Sequence, residues 1–430
     1  MLKIGFFIPE FPGQTHIFLW RERQALAELG IQADLISTRP PPRSIASHSW
    51  GAAAQAQTRY LLPLEGGPLR LVADLLRAGP RGWMRGLSAA LRAETQGGLK
   101  GRVRMLALLA MGARLAGIAR DRGWTHVHVH SCADSANIAM FAQRLGGPSY
   151  SLTLHGPTLD GYGPNQRQKW RHARFATIIS RLLLGVAQRE IGPDLPPVVL
   201  VAPMGVDLAQ IRRAAPWQPP APGTPLRVFS CGRLNAVKGH DHLIRTIQIL
   251  RDQGIDARLE IAGEDEQGGS GYRRQLEALI AQAGLQDVVT LLGAVSEDRV
   301  RQGLEQAHVF ALASLNEGIS VAIMEAMAME MPVVVTDVGG NHELITSGRD
   351  AILVPPERPE IMAAEIARLY AEPDHARQLA QASRARVEQD FHHRRSAQAV
   401  AEGLARTLPG AAAHLRIAPA TDSPHPLRQH

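Results

Sequence analysis

The sequence predicts an α/β protein of two domains, each built on a parallel sheet, and three observations carry that prediction. At 430 residues the chain exceeds what one hydrophobic core organises, so two domains are the natural division. Short β-branched runs alternate with longer segments of helical periodicity in both halves, the pattern of parallel strands joined by crossover helices. Between the halves, residues 214–225 (AAPWQPPAPGTP) are too rich in proline to be the interior of any element. The expected division is a first domain at 1–209, a linker at 210–225 and a second domain at 226–390. A helical segment at 391–408 and a Pro- and Ala-rich tail at 409–430, expected to be disordered, complete it.

In chain order, residues 2–8 are an apolar run that begins a strand at once, with no charged leader or small-residue cleavage site, so no signal peptide is expected. Pro9, Pro12 and Gly13 form a loop, a helix follows at about 15–29, and a second strand at 32–37. The loop Gly13, Gln14, Thr15 therefore falls at the carboxyl end of the first strand, where open parallel sheets bind ligands. The Gly-x-Gly-x-x-Gly fingerprint is missing there and incomplete at Gly161 and Gly163, which argues against an NAD-linked oxidoreductase.

Residues 39–49 read as a loop and 60–122 as helical, with twelve basic residues against four acidic ones between Arg59 and Arg122. That imbalance suits either a solvated helical surface or a face for a membrane or an anionic acceptor. The most apolar long window, 103–119, is interrupted by Arg104 and Arg114 and falls short of the roughly 20 apolar residues that span a bilayer. Residues 124–130 (WTHVHVH) alternate as a strand and put His126, His128 and His130 on one face. The outer two would stand about 13 Å apart at a strand rise near 3.3 Å per residue. No metal site is expected from that strand, and His130, at its end, is the candidate to face a cleft. A further strand at 150–155 ends in His155 and Gly156.

The second half opens at Leu226 with a strand that enters a loop carrying Arg233 and Lys238. A helix at 240–253, a strand at 257–262, a helix at 272–283 and a strand at 288–292 follow. Residues 311–343 then read as strand end, loop, helix, strand and loop, with Glu317 in the first loop and Glu325 eight residues on in the helix. A rise of about 1.5 Å per helical residue holds the two carboxylates roughly 10 Å apart. They are too distant for shared acid/base work. The spacing suits an elongated ligand with hydroxyl clusters at both ends and an anionic middle, because the helix start at Ile319 and Ser320, after Gly318, offers free N–H groups there. A nucleotide sugar has that shape.

Composition narrows the partners. A formal net charge of +7 calls for an anionic one, but aromatic residues make up only 5% and no Cys/His finger spacing occurs, so nucleic acid is not expected. The two cysteines, Cys132 and Cys231, exclude a disulfide framework.

Taken together, residues 227–239 (RVFSCGRLNAVKG), the Glu-Gly…Glu-Ala-Met-Ala segment from Glu317 and the Gly339-Gly340…Glu343 loop resemble glycosyltransferase family 4, of GT-B fold. The opening IPEFPGQTHIFLWRE is similar to the family's members from exopolysaccharide assembly. The resemblance implies two Rossmann-like domains with parallel sheets facing a central cleft, and a helix at 391–408 crossing back to the N-domain. It implies a retaining hexosyl transfer from a UDP- or GDP-sugar to a polyprenyl-diphosphate-linked or other glycan acceptor. The enzyme would be cytoplasmic and peripheral to the inner membrane.

Residue by residue, Arg233 and Lys238 would neutralise the leaving diphosphate, Glu317 would hold the sugar and Glu325 the ribose hydroxyls. Gly318, Ile319 and Ser320 would add main-chain N–H groups. Gly13 falls on the donor side, His155 would contact the donor's sugar or phosphate, and Gln14, Thr15 and His130 fall on the acceptor side. No Asp-x-Asp occurs, so no cofactor or metal is expected. The loop Gly263, Glu264, Asp265, Glu266 departs from the family's usual Gly-x-Gly, which puts a diphosphate contact there in doubt. A sugar-nucleotide epimerase or a phosphorylase of the same fold, or a catalytically silent assembly protein, are the competing readings.

Overall fold

Aliphatic runs too short to be helices fold into two all-parallel sheets. The computed structural model describes residues 1–13, 15–41, 49–64, 67–156, 158–265 and 271–416. The first sheet holds β1 (Leu2–Glu10), β2 (Ile31–Arg39), β3 (Arg59–Tyr60), β4 (His126–Val129), β5 (Ser149–Leu154), β6 (Ala176–Ile178) and β7 (Val199–Val201). The second holds β8 (Leu226–Cys231), β9 (Ala257–Ala262), β10 (Val289–Gly293), β11 (Val309–Leu312), β12 (Val333–Thr336) and β13 (Ile352–Val354). Their spatial orders are β3-β2-β1-β4-β5-β6-β7 and β10-β9-β8-β11-β12-β13. Sheets covered on both faces need strands without a polar side, and both Ile4 to Ile8 in β1 and all of β12 are buried.

Each strand order reverses once, between β1 and β4 and between β8 and β11. Connections from neighbouring strands there leave to opposite faces of the sheet and open a crevice at the carboxyl ends. One face of the first sheet packs on the helices Gly79–Arg92, Leu99–Arg122 and Asp134–Arg144. The other is covered by Ile17–Glu28 and by the late helix Arg394–Thr407, whose Ala397, Val400, Ala401 and Leu404 join Ile4 and Phe6 in one core. That return of the chain demands close approach: a Cβ on Gly403 would lie 2.4 Å from the Phe175 ring.

Several expectations need correction. The segment read as a linker is partly core, because Ile211 and Trp217 are buried in the second domain and the Trp217 indole N–H donates to the His308 carbonyl at 3.0 Å. The tail read as disordered from 409 continues as a 3-10 turn, Ala411–His414, and the Arg416 N–H donates to the Leu29 carbonyl at 3.0 Å; residues 417–430 lie outside the described residues. Nor are all the arginines of the basic stretch on the surface. Arg114 is buried and pairs with the buried Asp74 at 3.1 Å, while Arg70 and Arg77 approach the other Asp74 oxygen at 3.7 and 3.4 Å. A buried carboxylate left unpaired costs several kcal/mol, roughly, so these cations are tied to the fold.

Candidate active site

Both switch points open onto one cleft of about 700 Å³. Gly13 and Thr15 reach it from the loop after β1, His130 from the end of β4 and His155 from the end of β5. Arg233 and Lys238 come from the loop after β8, and Glu317, Gly318, Ile319, Ser320 and Glu325 follow β11. Topology thus brings together every described residue that the sequence assigned to the donor or acceptor side; Gln14 lies outside the described residues.

On the C-domain side, the loop after β8 is held by its own main chain. Asn235 accepts a hydrogen bond from the Lys238 N–H at 3.2 Å, closing a short 3-10 turn. Buried His240, whose ring nitrogen lies 3.3 Å from the Arg233 carbonyl, has its pKa lowered by burial to about 4 and stays neutral. Lys238 then reaches Glu317 at 2.6 Å, and the Ser314 hydroxyl donates to the same carboxylate oxygen at 2.6 Å. From the far side the loop after β12 presses on the Glu317 backbone, and the Gly340 N–H donates to the Glu317 carbonyl at 3.2 Å. Gly339 adopts φ of 55°, and a Cβ there would sit 1.7 Å from the Glu317 carbonyl oxygen. The Gly-Gly pair is therefore a packing requirement of the carboxylate's loop.

The helix after Glu317 runs Val321–Ala328, with Ser320 as its N-cap and no side-chain capping bond. It starts slightly later than the sequence suggested, and Ser320, Val321 and Ala322 line the cleft. First-turn N–H groups have no partner inside a helix, which favours an anion at this end. Glu325, one turn further on, pairs across the cleft with Arg21 of the first helix at 3.4 Å. At the doubted loop, Gly263 approaches the opposite backbone so closely that a Cβ would meet the Gly232 carbonyl oxygen at 1.9 Å. Glu264 there pairs with Arg273 at 2.8 Å. Glu266 lies outside the described residues.

The N-domain side is a buried ladder of imidazoles and hydroxyls. His126 lies 2.8 Å from both the Ser149 and Ser151 hydroxyls; His128 lies 2.7 Å from Ser151 and 2.8 Å from Thr153. The rings of His126 and His128 stack on Phe175. The next rung is a pair of histidines, with His130 Nδ1 3.0 Å from His155 Nε2. Burial lowers the pKa of His126 and of His155 to about 3, and that of His130 well below the usual value, so the ladder is neutral.

Behind it lies Glu22, buried, with Oε2 3.8 Å from His130 Nε2 and a pKa raised by burial to about 8. Glu22, His128 and His130 can each offer a ligand atom within 4.8 Å of the others. Spacing along β4 alone could not reveal that grouping, because its carboxylate comes from another element. Both ring nitrogens of His128 already have hydroxyl partners.

Arg21, which lines the cleft, and Glu22, buried behind it, were not singled out from the sequence. A signal was present: Glu22 falls three residues after Leu19 and three and four before Ala25 and Leu26, on the apolar face of its helix. A carboxylate on a core-facing stripe is uncommon enough to mark a buried polar role.

Comparison with known proteins follows the same division. Residues 211–386 match the family described as "Glycosyl transferases group 1". Nearly the whole chain is similar to the putative colanic acid biosynthesis glycosyltransferase WcaL of Escherichia coli K12, at 28% identity over 91% of this chain and 96% of that one. It is similar to the amylovoran biosynthesis glycosyltransferase AmsK of Erwinia amylovora at 27% identity, over 94% and 100% of the two chains. Among solved structures, Anabaena Alr3699/HepE in complex with UDP-glucose superposes with a TM-score of 0.71 at 16% identity, over 94% of this chain and 100% of that one. Sucrose-phosphate synthase from Thermosynechococcus elongatus gives 0.70 at 19% identity, over 95% and 99%. The fold is GT-B, the second half carries a glycosyl transferases group 1 domain, and the resemblance drawn from the motifs is borne out.

Proposed function

We propose, for a GT-B chain carrying a glycosyl transferases group 1 domain, that the protein is a retaining glycosyltransferase of exopolysaccharide assembly, taking its sugar from a nucleotide-sugar donor. The observation that carries this reading is the convergence of Arg233 and Lys238 with the separated carboxylates of Glu317 and Glu325 in one interdomain cleft. Two cations and a helix start suit the diphosphate, Glu325 the ribose hydroxyls, and Glu317 the hydroxyls of the transferred sugar. The bond between the anomeric carbon and the phosphate oxygen breaks as the acceptor oxygen bonds to that carbon. The acceptor proton passes to the departing phosphate on the same face, and Arg233 and Lys238 stabilise the charge developing there. His155, neutral and at the N-domain rim, faces the donor. Fixed side-chain cations do the work of a divalent ion, so no metal is required.

A thermal-shift panel of nucleotides and nucleotide sugars, with UDP-glucose first because the Anabaena neighbour holds it, tests the donor. The anomeric configuration of the product by NMR tests retention. An inverted product, or no stabilisation by any nucleotide, overturns the reading.

We further propose a lipid-linked acceptor, a polyprenyl diphosphate glycan met at the cytoplasmic face of the inner membrane. Among the described residues no helix is long and apolar enough to cross a bilayer. Three N-domain helices nonetheless carry exposed apolar stripes at helical spacing: Leu69, Val72 and Leu76; Met84, Leu87 and Leu91; Leu99, Val103 and Leu106. Arg81, Arg85 and Arg92 flank the second stripe, and each cation near an anionic leaflet adds about 1 kcal/mol. Sedimentation with anionic vesicles should carry the protein down, and Leu69→Glu with Leu91→Glu should release it. Equal partitioning onto neutral vesicles, or binding untouched by about 0.5 M salt, would show a merely solvated surface.

A further inference from the structure

The buried end of the N-domain ladder contains polar atoms that the transfer reaction leaves unexplained. Both carboxyl oxygens of Glu22 and Nε2 of His130 are buried and have no hydrogen-bond partner among the described residues. Such groups are costly to leave unsatisfied, so their retention points to a role. They face each other at 3.8 Å, and the other nitrogen of His130 contacts His155, which lines the cleft.

We infer that Glu22, in its acid form, and His130 are positioning residues that fix His155 as the tautomer with its proton on Nδ1. The inference rests on the proposed transfer reaction for its purpose, and on the contact geometry for its content. Two neutral histidines 3.0 Å apart allow two arrangements. In one, His155 Nε2–H donates to His130 Nδ1; His130 then carries its single proton on Nε2, which the acid form of Glu22 could meet only with its carbonyl oxygen, leaving its own buried O–H without an acceptor, so this arrangement suits an ionised Glu22. In the other, His130 Nδ1–H donates to His155 Nε2; His130 Nε2 then needs a donor, which a protonated Glu22 supplies.

Burial decides between them. An ionised carboxylate at this depth has no cation in hydrogen-bond contact, whereas the acid form needs none. The raised Glu22 pKa, about 8, agrees. A side-chain adjustment that closes the 3.8 Å gap gives the Glu22 O–H an acceptor and His130 Nε2 a donor. His155 is left with one defined donor, Nδ1–H, where an unsupported imidazole would divide between two tautomers.

Nitrogen-15 NMR of histidine-labelled protein without ligand reads this directly. The wild type should show His155 protonated on Nδ1 and His130 on Nδ1. Glu22→Gln, which keeps an N–H donor toward His130, should preserve that pattern, and Glu22→Leu should give His155 mixed tautomers. With donor and acceptor present, Glu22→Leu should lower kcat about ten- to hundredfold with KM for the donor little changed, and Glu22→Gln should restore most of it.

A wild-type His155 protonated on Nε2 overturns the inference, and that measurement needs no variant to fold. Stoichiometric zinc binding by calorimetry, with His128 and His130 signals shifting together, overturns it in favour of a metal centre. Because the tautomers are read without turnover, failure of the transfer reaction and failure of this relay remain distinguishable.

Discussion

On the C-domain side of the cleft, Lys238 and Glu317 meet as ions at 2.6 Å and Arg233 stands beside them. Across from them, His130 and Glu22 are buried, His155 is half-buried at the cleft, and all three are uncharged. The difference follows from pairing. Glu317, although buried, has a counter-ion in Lys238, and the pair can rearrange around a charged ligand, whereas a lone charge beneath a sheet is too costly, so the titratable residues there survive only as neutral donors and acceptors. One side is built to meet an anion, the other to present a hydrogen bond of fixed direction.

Substitutions should therefore fail differently on the two sides. The largest effect is expected for Lys238→Ala, which removes charge from the developing phosphate: turnover should fall about 10² to 10³-fold while the melting temperature stays near that of the wild type. A parallel collapse in stability would mean that Lys238 serves the fold. Next comes Glu325→Ala, where loss of a charged acceptor of ligand hydroxyls costs about 1.5 to 3 kcal/mol, so donor affinity by calorimetry should drop roughly ten- to hundredfold. Arg21→Ala, which leaves Glu325 in place and removes its 3.4 Å contact with Arg21, should cost less; equal losses would make the ion pair the functional unit.

The N-domain side should announce itself in the pH dependence of stability. Glu22 keeps its proton in the folded state up to about pH 8, against an ordinary value of 4.5, so its stabilising contribution is complete below 4.5 and is lost as pH rises toward 8. The histidines act in the opposite sense. With folded values of His126 and His155 near 3 and an ordinary value of 6.5, they contribute above 6.5 and lose that contribution as pH falls.

Stability should thus peak near neutrality and decline on the alkaline side by at most about 1.4 kcal/mol per pH unit, and Glu22→Gln should flatten that limb. Chemical denaturation at pH 6.5, 7.25 and 8 is the check; a variant as steep as the wild type would assign the slope to other groups. The smallest effect expected is none: EDTA should leave turnover intact, since the cations on the C-domain side belong to the chain. Loss of activity restored by a divalent metal would instead make Glu22, His128 and His130 the first residues to examine.

Read along the chain, residues already determine much. β9 falls at the residues its alternation marks, 257–262, because Ala257, Leu259 and Ile261 turn to the core while Arg258 and Glu260 between them stay at least partly exposed. Arg233, Lys238 and Glu317 were legible as charges in loops at strand ends, and Glu325 as a charge on an otherwise apolar helix. The strand β13 and the helices Glu297–Gln306, Pro359–Ala371 and Pro373–Asp390 were not read from local pattern.

What only the tertiary structure decided are contacts between distant segments: Arg21 with Glu325, Glu22 with His130, and a supposed linker whose Trp217 belongs to the core. It also decided which side of each amphipathic helix is left uncovered, so that Leu69, Leu76 and Leu99 became surface rather than core. Local propensity and period are properties of a few neighbouring residues and are written in the sequence. Burial is a property of what packs alongside, and for Glu22 it sets the protonation state that its letter in the sequence leaves open.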